Sequence, residues 1–293
     1  MSDKPCKVIV GCSGSVDFAK RIAAQTKCRF IPLDTKKFPD GELNLRFTSD
    51  IKGKKVYLVQ SFYDPNDKLI EVFFAAKTAK ELGARGVFII APYLCYMRQD
   101  KRFRPYEAIS SRVMAAIMNR LADGIITVDP HLHRYKSLDE IFTIRTKTLT
   151  ADDLIADYIK DNIKSPIIIG PDMESYQWAR TVAEKIGCEV DVLKKKRYTS
   201  EHVAIKIKKR LDLGGKSVVL IDDIISTGHT MMEVVKDVKR LGAKRIYCIC
   251  VHALFVENSY EKLRKMGAEV VSCNTIPHKS NGIDVSGLIS REI

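Results

Sequence analysis

No apolar run in the 293 residues is long enough for a membrane span. The longest, Gly86 to Met97, falls well short of the ~20 residues such a span needs, and Arg98 and Asp100 follow it directly. It reads as a buried strand. No apolar leader is visible either, because Asp3 and Pro5 stand where a signal peptide needs an uninterrupted hydrophobic stretch, so export is not expected and a cytoplasmic location is. The eight cysteines, at 6, 12, 28, 95, 188, 248, 250 and 273, form no CxxC pair and lie mostly inside apolar runs. That excludes a zinc ribbon or a disulfide framework and leaves small buried hydrophobes. Nucleic-acid recognition motifs are missing too. The formal charge of +13 comes from lysines and arginines spread along the chain, so nucleic acid is not expected as a partner. A site for phosphorylated small molecules accounts for the sign equally well.

What is present is globular. With 45% apolar and 29% charged residues the chain can build real cores, and its length is that of about two ordinary domains. Apolar segments of strand length recur at Lys7–Val10, Val56–Val59, Val87–Ile90, Ile125–Val128, Ile167–Ile169, Val218–Ile221, Ile246–Val251 and Val270–Ser272. Between them, Lys68–Leu82, Ser110–Leu121, Glu174–Ile186 and Met231–Leu241 carry apolar residues at helical spacing. Strands that are apolar throughout, separated by helices, predict an α/β fold with a mostly parallel sheet covered on both faces.

The sequence also repeats itself. Gly53–Val59 resembles Gly215–Ile221 at a shift of 162, Leu82–Arg85 resembles Leu241–Lys244 at 159, and Ala19–Cys28 resembles Ala179–Cys188 at 160. Three echoes at nearly one offset predict two copies of one unit, residues 1–147 and 148–293.

The densest chemical signal is Val218 to Thr230. A buried strand delivers Asp222 and Asp223 at its carboxyl end, and Ser226, Thr227, Gly228, His229 and Thr230 then lead into a helix starting near Thr230. Ligands of open α/β sheets bind at such strand ends. The free N–H groups of the turn and helix start make an anion cradle, and paired carboxylates accept hydrogen bonds from vicinal hydroxyls. The alternative is a helix cap beside two solvated acids.

This stretch resembles the phosphoribosyl-diphosphate loop of type I phosphoribosyltransferases, which implies Asp222 and Asp223 on ribose hydroxyls and Ser226 to Thr230 around a 5-phosphate. His229 departs from the commonest Gly-Gly-Thr ending of that loop. Further motifs follow one another in the order and spacing of ribose-phosphate pyrophosphokinase, the PRPP synthase family: Phe38-Pro39-Asp40-Gly41-Glu42, Tyr96 to Lys101, Asp129-Pro130-His131 and Gly170-Pro171-Asp172. The likeness covers nearly the whole chain, which is similar in length to the short, archaeal-type members.

The resemblance implies a diphosphoryl transfer from ATP to ribose 5-phosphate, with Mg2+ as the cofactor. It implies Phe38, Asp40, Glu42, Arg98, Gln99, Asp100 and His131 on ATP, and Asp129, His131 and Asp172 on the metal. Asp172 also joins the ribose 5-phosphate contacts, and Lys195 and Arg197 fall on a flexible catalytic loop. A homo-oligomer, dimer or hexamer, is implied as well. On residue chemistry alone several of these stay open. Phe38 to Glu42 can be an ordinary turn or an aromatic face for a purine. Arg98 and Gln99 can be a basic corner, and Asp172 can be a helix N-cap while also contacting ligand. His133 rivals His131, and the run Lys194-Lys195-Lys196-Arg197 leaves the register of the lysine uncertain by one. Two other classes fit parts of the chain. A type I phosphoribosyltransferase needs only one such unit and no ATP motif, and a non-catalytic relative would lose the phosphate-handling residues.

Overall fold

In a computed structural model of the chain, the backbone is described for residues 6–197, 203–207 and 213–293, and the side chains for all of these except 173, 174, 191–197 and 203–207. Two compact units emerge. One is Met1–Leu149 together with Ser286–Ile293, and the other is Thr150–Val285. The division falls two residues after the expected seam, and the last eight residues group with the first unit rather than the second.

The first unit runs β1 (Lys7–Gly11), α1 (Val16–Thr26), β2 (Arg29–Lys37), β3 (Leu43–Phe47), β4 (Lys55–Val59), α2 (Pro65–Glu81), β5 (Gly86–Ala91), α3 (Ser110–Leu121), β6 (Gly124–Val128) and β7 (Arg145–Leu149). Its sheet has the order β3-β2-β1-β4-β5-β6-β7, parallel except where β3 turns back on β2. The second unit runs α4 (Asp152–Asn162), β8 (Pro166–Gly170), α5 (Met173–Ile186), β9 (Glu189–Arg197), β10 (Val203–Ile207), β11 (Ser217–Ile225), α6 (His229–Arg240), β12 (Arg245–Ala253), α7 (Ser259–Lys265), β13 (Ala268–Cys273) and β14 (Asn281–Ile283). Its sheet order, β10-β9-β8-β11-β12-β13-β14, is the same permutation. A short α8 (Ser286–Ser290) closes the chain on the first unit.

The registers carry the repeat to single residues. Val8 lies beside Val56 and Arg29 in the first sheet, and Ile167 lies beside Val218 and Glu189 in the second, which are the offsets of 159 to 162 found in the sequence. The offset fails after β5. Thirty-two residues separate Ala91 from Gly124, while the matching strands β12 and β13 are joined by a connection less than half as long. The extra length in the first copy holds the segment around Arg98.

The central strands are apolar throughout because helices cover both faces. Val8, Ile9, Val10, Val56 and Leu58 are fully buried in the first unit, as are Ile168, Ile169, Val218, Leu220 and Ile221 in the second. Each such side chain contributes about 1.5 to 3 kcal/mol by leaving water. Gly11 and Gly170 end the first strand of each copy for one reason: the following helix crosses there. A Cβ on Gly170 would sit 2.9 Å from Tyr176 Cα, and one on Gly11 would sit 3.2 Å from Ala19 Cβ. In both copies that helix has a helical neighbour, α4 against α5 and α8 against α1. Gln25 fixes the latter pair, donating to Ser286 Oγ and accepting from Ser290 Oγ.

Candidate active site

Parallel strands place all their carboxyl ends along one edge of a sheet, and most of the residues singled out from sequence fall there. In the second unit, Asp222 and Asp223 lie within the last four residues of β11, not after it, and α6 starts at His229, one residue before the expected Thr230. Gly228 is the N-cap, with φ at 69°, a backbone that favours glycine, and a Cβ there would meet Ser259 Cβ at 3.0 Å. Ser259 itself is fully buried, and its hydroxyl donates to the Ser226 carbonyl at 2.7 Å. Phe255 N donates to the Ile225 carbonyl at 3.0 Å, so the turn from Ser226 to Gly228 is braced from the segment after β12. Nothing in the local sequence pattern marks Ser259 for this work. His229 is exposed, with Nε2 3.9 Å from Glu257.

The acid pair is electrostatically loaded. Asp222 Oδ1 accepts from Asp223 N at 3.1 Å. Burial, then the charges of Asp223 and of Asp172, push the Asp222 carboxyl well above the usual carboxylate range. Asp172 caps α5 reciprocally: Ser175 N donates to Asp172 Oδ1 at 2.9 Å while Asp172 N donates to Ser175 Oγ at 3.1 Å. Its capping role is therefore real, and its charge still reaches Asp222.

The first copy lacks this arrangement. At the shift of 162, Gln60 and Ser61 stand where Asp222 and Asp223 do, and both are buried. Gln60 donates to Glu71 at 3.0 Å and accepts from Gly14 N at 3.0 Å, while Ser61 N donates to Ser15 Oγ at 2.7 Å. Ser13 N and Oγ both donate to the same Glu71 carboxylate. The strand-end cradle of the first copy is filled by its own side chains.

The remaining candidates of the first unit lie on three loops. Phe38 to Glu42 form the tip of the β2–β3 hairpin, where Phe38 is half exposed and belongs to no core. Gly41 N donates to the Phe38 carbonyl, and Asp40 Oδ1 accepts from Glu42 N at 3.2 Å. After β5, Arg98 is exposed, Gln99 accepts from Ser110 Oγ at 2.8 Å at the start of α3, and Asp100 is buried. After β6, Asp129 has a positive φ of 37°, so the two-residue strand period does not carry on to His131 as expected. His131 instead packs edge-on against His133, ring centroids 3.8 Å apart, so the two rival histidines stand together. Lys195 and Arg197 belong to β9, with their backbones opposite Ile205 and Val203. Their side chains, and all of 198–202, lie outside the described residues.

The eight cysteines are free, and burial raises the thiols of Cys12, Cys248 and Cys250, so these three are not ready thiolate ligands. No helix among the described residues is long and apolar enough to cross a membrane.

Two phosphoribosyltransferase-type units, one with an acid pair and anion cradle and one with that cradle closed, define a doubled enzyme of the phosphoribosyl-diphosphate class. Residues 7–121 match the N-terminal domain of ribose phosphate pyrophosphokinase, and residues 137–288 match the phosphoribosyl transferase domain. The chain is 34% identical to the ribose-phosphate pyrophosphokinase of Sulfolobus acidocaldarius, over 98% of this chain and all of that one. It is also 34% identical to that of Methanothermobacter thermautotrophicus, over 97% and 98% of the two chains. The crystal structure of phosphoribosylpyrophosphate synthetase from Mycobacterium smegmatis has the same fold, with a TM-score of 0.87 and 23% identity over 99% of this chain and 97% of that one. The chain belongs to the ribose-phosphate pyrophosphokinase family.

Members of this family use a divalent metal ion. The donors here suit one. Burial and the charges of Asp223 and Asp172 force the Asp222 carboxyl towards its neutral form, a penalty that a nearby divalent cation would relieve.

Proposed function

We propose that this chain catalyses the transfer of the β,γ-diphosphoryl group of ATP to the anomeric hydroxyl of ribose 5-phosphate, giving 5-phosphoribosyl 1-diphosphate and AMP. The observation that carries the reading is the asymmetry of the two copies. Only the second keeps paired acids beside an open helix-start cradle, while the first has turned its own strand ends over to other loops. A simple phosphoribosyltransferase would need the second unit alone and have no use for the first.

The roles follow from the residues. Asp222 and Asp223 accept hydrogen bonds from the ribose hydroxyls, and the 5-phosphate sits on the N–H groups and hydroxyls of Ser226, Thr227, Gly228, His229 and Thr230. Phe38, Glu42, Arg98 and His131, each at least partly exposed, meet ATP, with Asp40 and Gln99 shaping their turns. The acceptor hydroxyl attacks the β-phosphorus in line with the departing AMP oxygen, so the chain's part is positioning and charge compensation. Lys195 and Arg197 supply the positive charge as negative charge spreads over the transferred group. Mg2+, when bound, would neutralise the phosphates, and the residues that would hold it are Asp129 and His131 in the first unit and, in the second, Asp172, each within its own unit.

The active form is a homo-oligomer, a dimer or hexamer. In support, Ile70, Phe73, Phe74, Val113 and Ile117 on α2 and α3 are large hydrophobics left in solvent. A cytoplasmic setting fits the eight unpaired thiols. AMP release from ATP that depends on ribose 5-phosphate tests the reading. ADP as product, or AMP release without the sugar phosphate, would overturn it.

A further inference from the structure

The loop after β5 and the loop after β6 are fastened to each other by a buried charge. Asp100 is 5% exposed, and Arg134 Nη1 donates to its Oδ1 at 2.6 Å. The other oxygen, Oδ2, is buried with no hydrogen-bond partner among the described residues, so Arg134 carries the compensation of that charge. The guanidinium is partly in solvent and lies 5.7 Å from the Phe103 ring centroid. Tyr135 adds a second tie. Its hydroxyl donates to the Asp100 carbonyl at 3.1 Å and lies 3.2 Å from Ser111 Oγ, and Ser111 N donates to the Gln99 carbonyl at 3.2 Å. β5 and β6 are parallel neighbours, so the loops leaving their carboxyl ends start side by side.

A carboxylate this enclosed, already committed to a guanidinium, is poorly placed to touch a substrate. We infer that Asp100 is a positioning residue, not a ligand of nucleotide or metal: with Arg134 and Tyr135 it locks the loop carrying Asp129, His131 and His133 to the segment carrying Arg98. This rests on the ATP-dependent reaction proposed above. Removing Arg134 leaves the enclosed Asp100 charge uncompensated and removing Asp100 leaves the guanidinium without its anchor, whereas removing both charges together is often nearly neutral. That difference separates positioning from contact.

The test compares Asp100→Asn, Arg134→Gln, the double variant and Tyr135→Phe in the full chain. Each charge-removing single variant is expected to raise the KM for ATP about tenfold while that for ribose 5-phosphate stays within about twofold, and the double variant returns to within about threefold of the parent. Tyr135→Phe keeps the ion pair and gives a smaller rise in the ATP KM, which reads the lock should a single variant fail to fold. A double variant that folds but is as impaired as Asp100→Asn would mean that Asp100 touches the nucleotide itself. An ATP KM unchanged in all four would equally refute the lock. Should the parent release no AMP, the reaction fails on its own account, and the lock is read in melting temperature, where the double variant is expected to exceed both singles.

Discussion

Replacing Asp222 by asparagine removes one negative charge from a set of three while keeping an oxygen to accept from Asp223 N. The native carboxyl has its pKa raised by burial first and by Asp223 and Asp172 second. A raised acid pKa means that the folded state holds the proton more tightly than the unfolded chain does. Ionising this group therefore costs stability as pH rises from the unfolded value towards the folded one, and that stability returns on acidification. Relief of a like-charge and desolvation penalty of about 1 to 2 kcal/mol would raise the melting temperature of a unit this size by roughly 2 to 8 °C. Scanning calorimetry without ligands, at pH 5 and pH 8, reads it directly. The gain of Asp222→Asn over the parent should be larger at pH 8 than at pH 5, while the variant loses about 1 to 3 kcal/mol of sugar-phosphate binding. A variant less stable than the parent at pH 8, or a gain independent of pH, would show that the acids do not repel one another as described.

Ser259→Ala unbraces the Ser226 carbonyl and should raise the KM for ribose 5-phosphate several-fold, with that for ATP unchanged in the same steady-state assay. Alanine at Lys195 or Arg197 should lower kcat on the order of a hundredfold and leave substrate binding nearly intact, whereas alanine at the alternate positions Lys194 and Lys196 should do little. A uniform small decline across all four, fading with salt, would replace the catalytic pair by a diffuse field. Mixing an inactive Phe38→Ala, Glu42→Ala chain with an inactive Arg98→Ala chain should restore partial activity if the hairpin tip serves a neighbouring subunit. No recovery in verified mixed oligomers would place the site within one chain.

The eight fully apolar strands were legible because burial on both faces leaves a continuous hydrophobic run, and each appears in the sheets within a few residues of where it was expected. The outer strands were not. β2, with Pro32, Asp34 and Lys36, and β7, with Arg145 and Lys147, mix charge with β-branched residues, and only pairing with a neighbour makes them strands. The α1 and α4 helices were not named although each carries one apolar face, Phe18, Ala19, Ile22 and Ala23 in α1 and Ile155, Ala156 and Ile159 in α4. At the site, the loop from Asp222 to Thr230 was readable because its chemistry is contiguous. The pairing of Asp100 with Arg134 was not legible because the two are distant in sequence, and the brace from Ser259 was invisible for the same reason. The closing of the first copy's cradle by Glu71 is likewise a contact between residues that only the fold brings together.

The central claim is that two phosphoryl groups move together to the sugar. Incubating the protein with ribose 5-phosphate, Mg2+ and ATP carrying its label on either the α- or the β-phosphorus decides it. The β-label should appear in the phosphoribosyl product, and the α-label should remain entirely in AMP. A β-label recovered in ADP would mean transfer of a single phosphoryl group and would contradict the account.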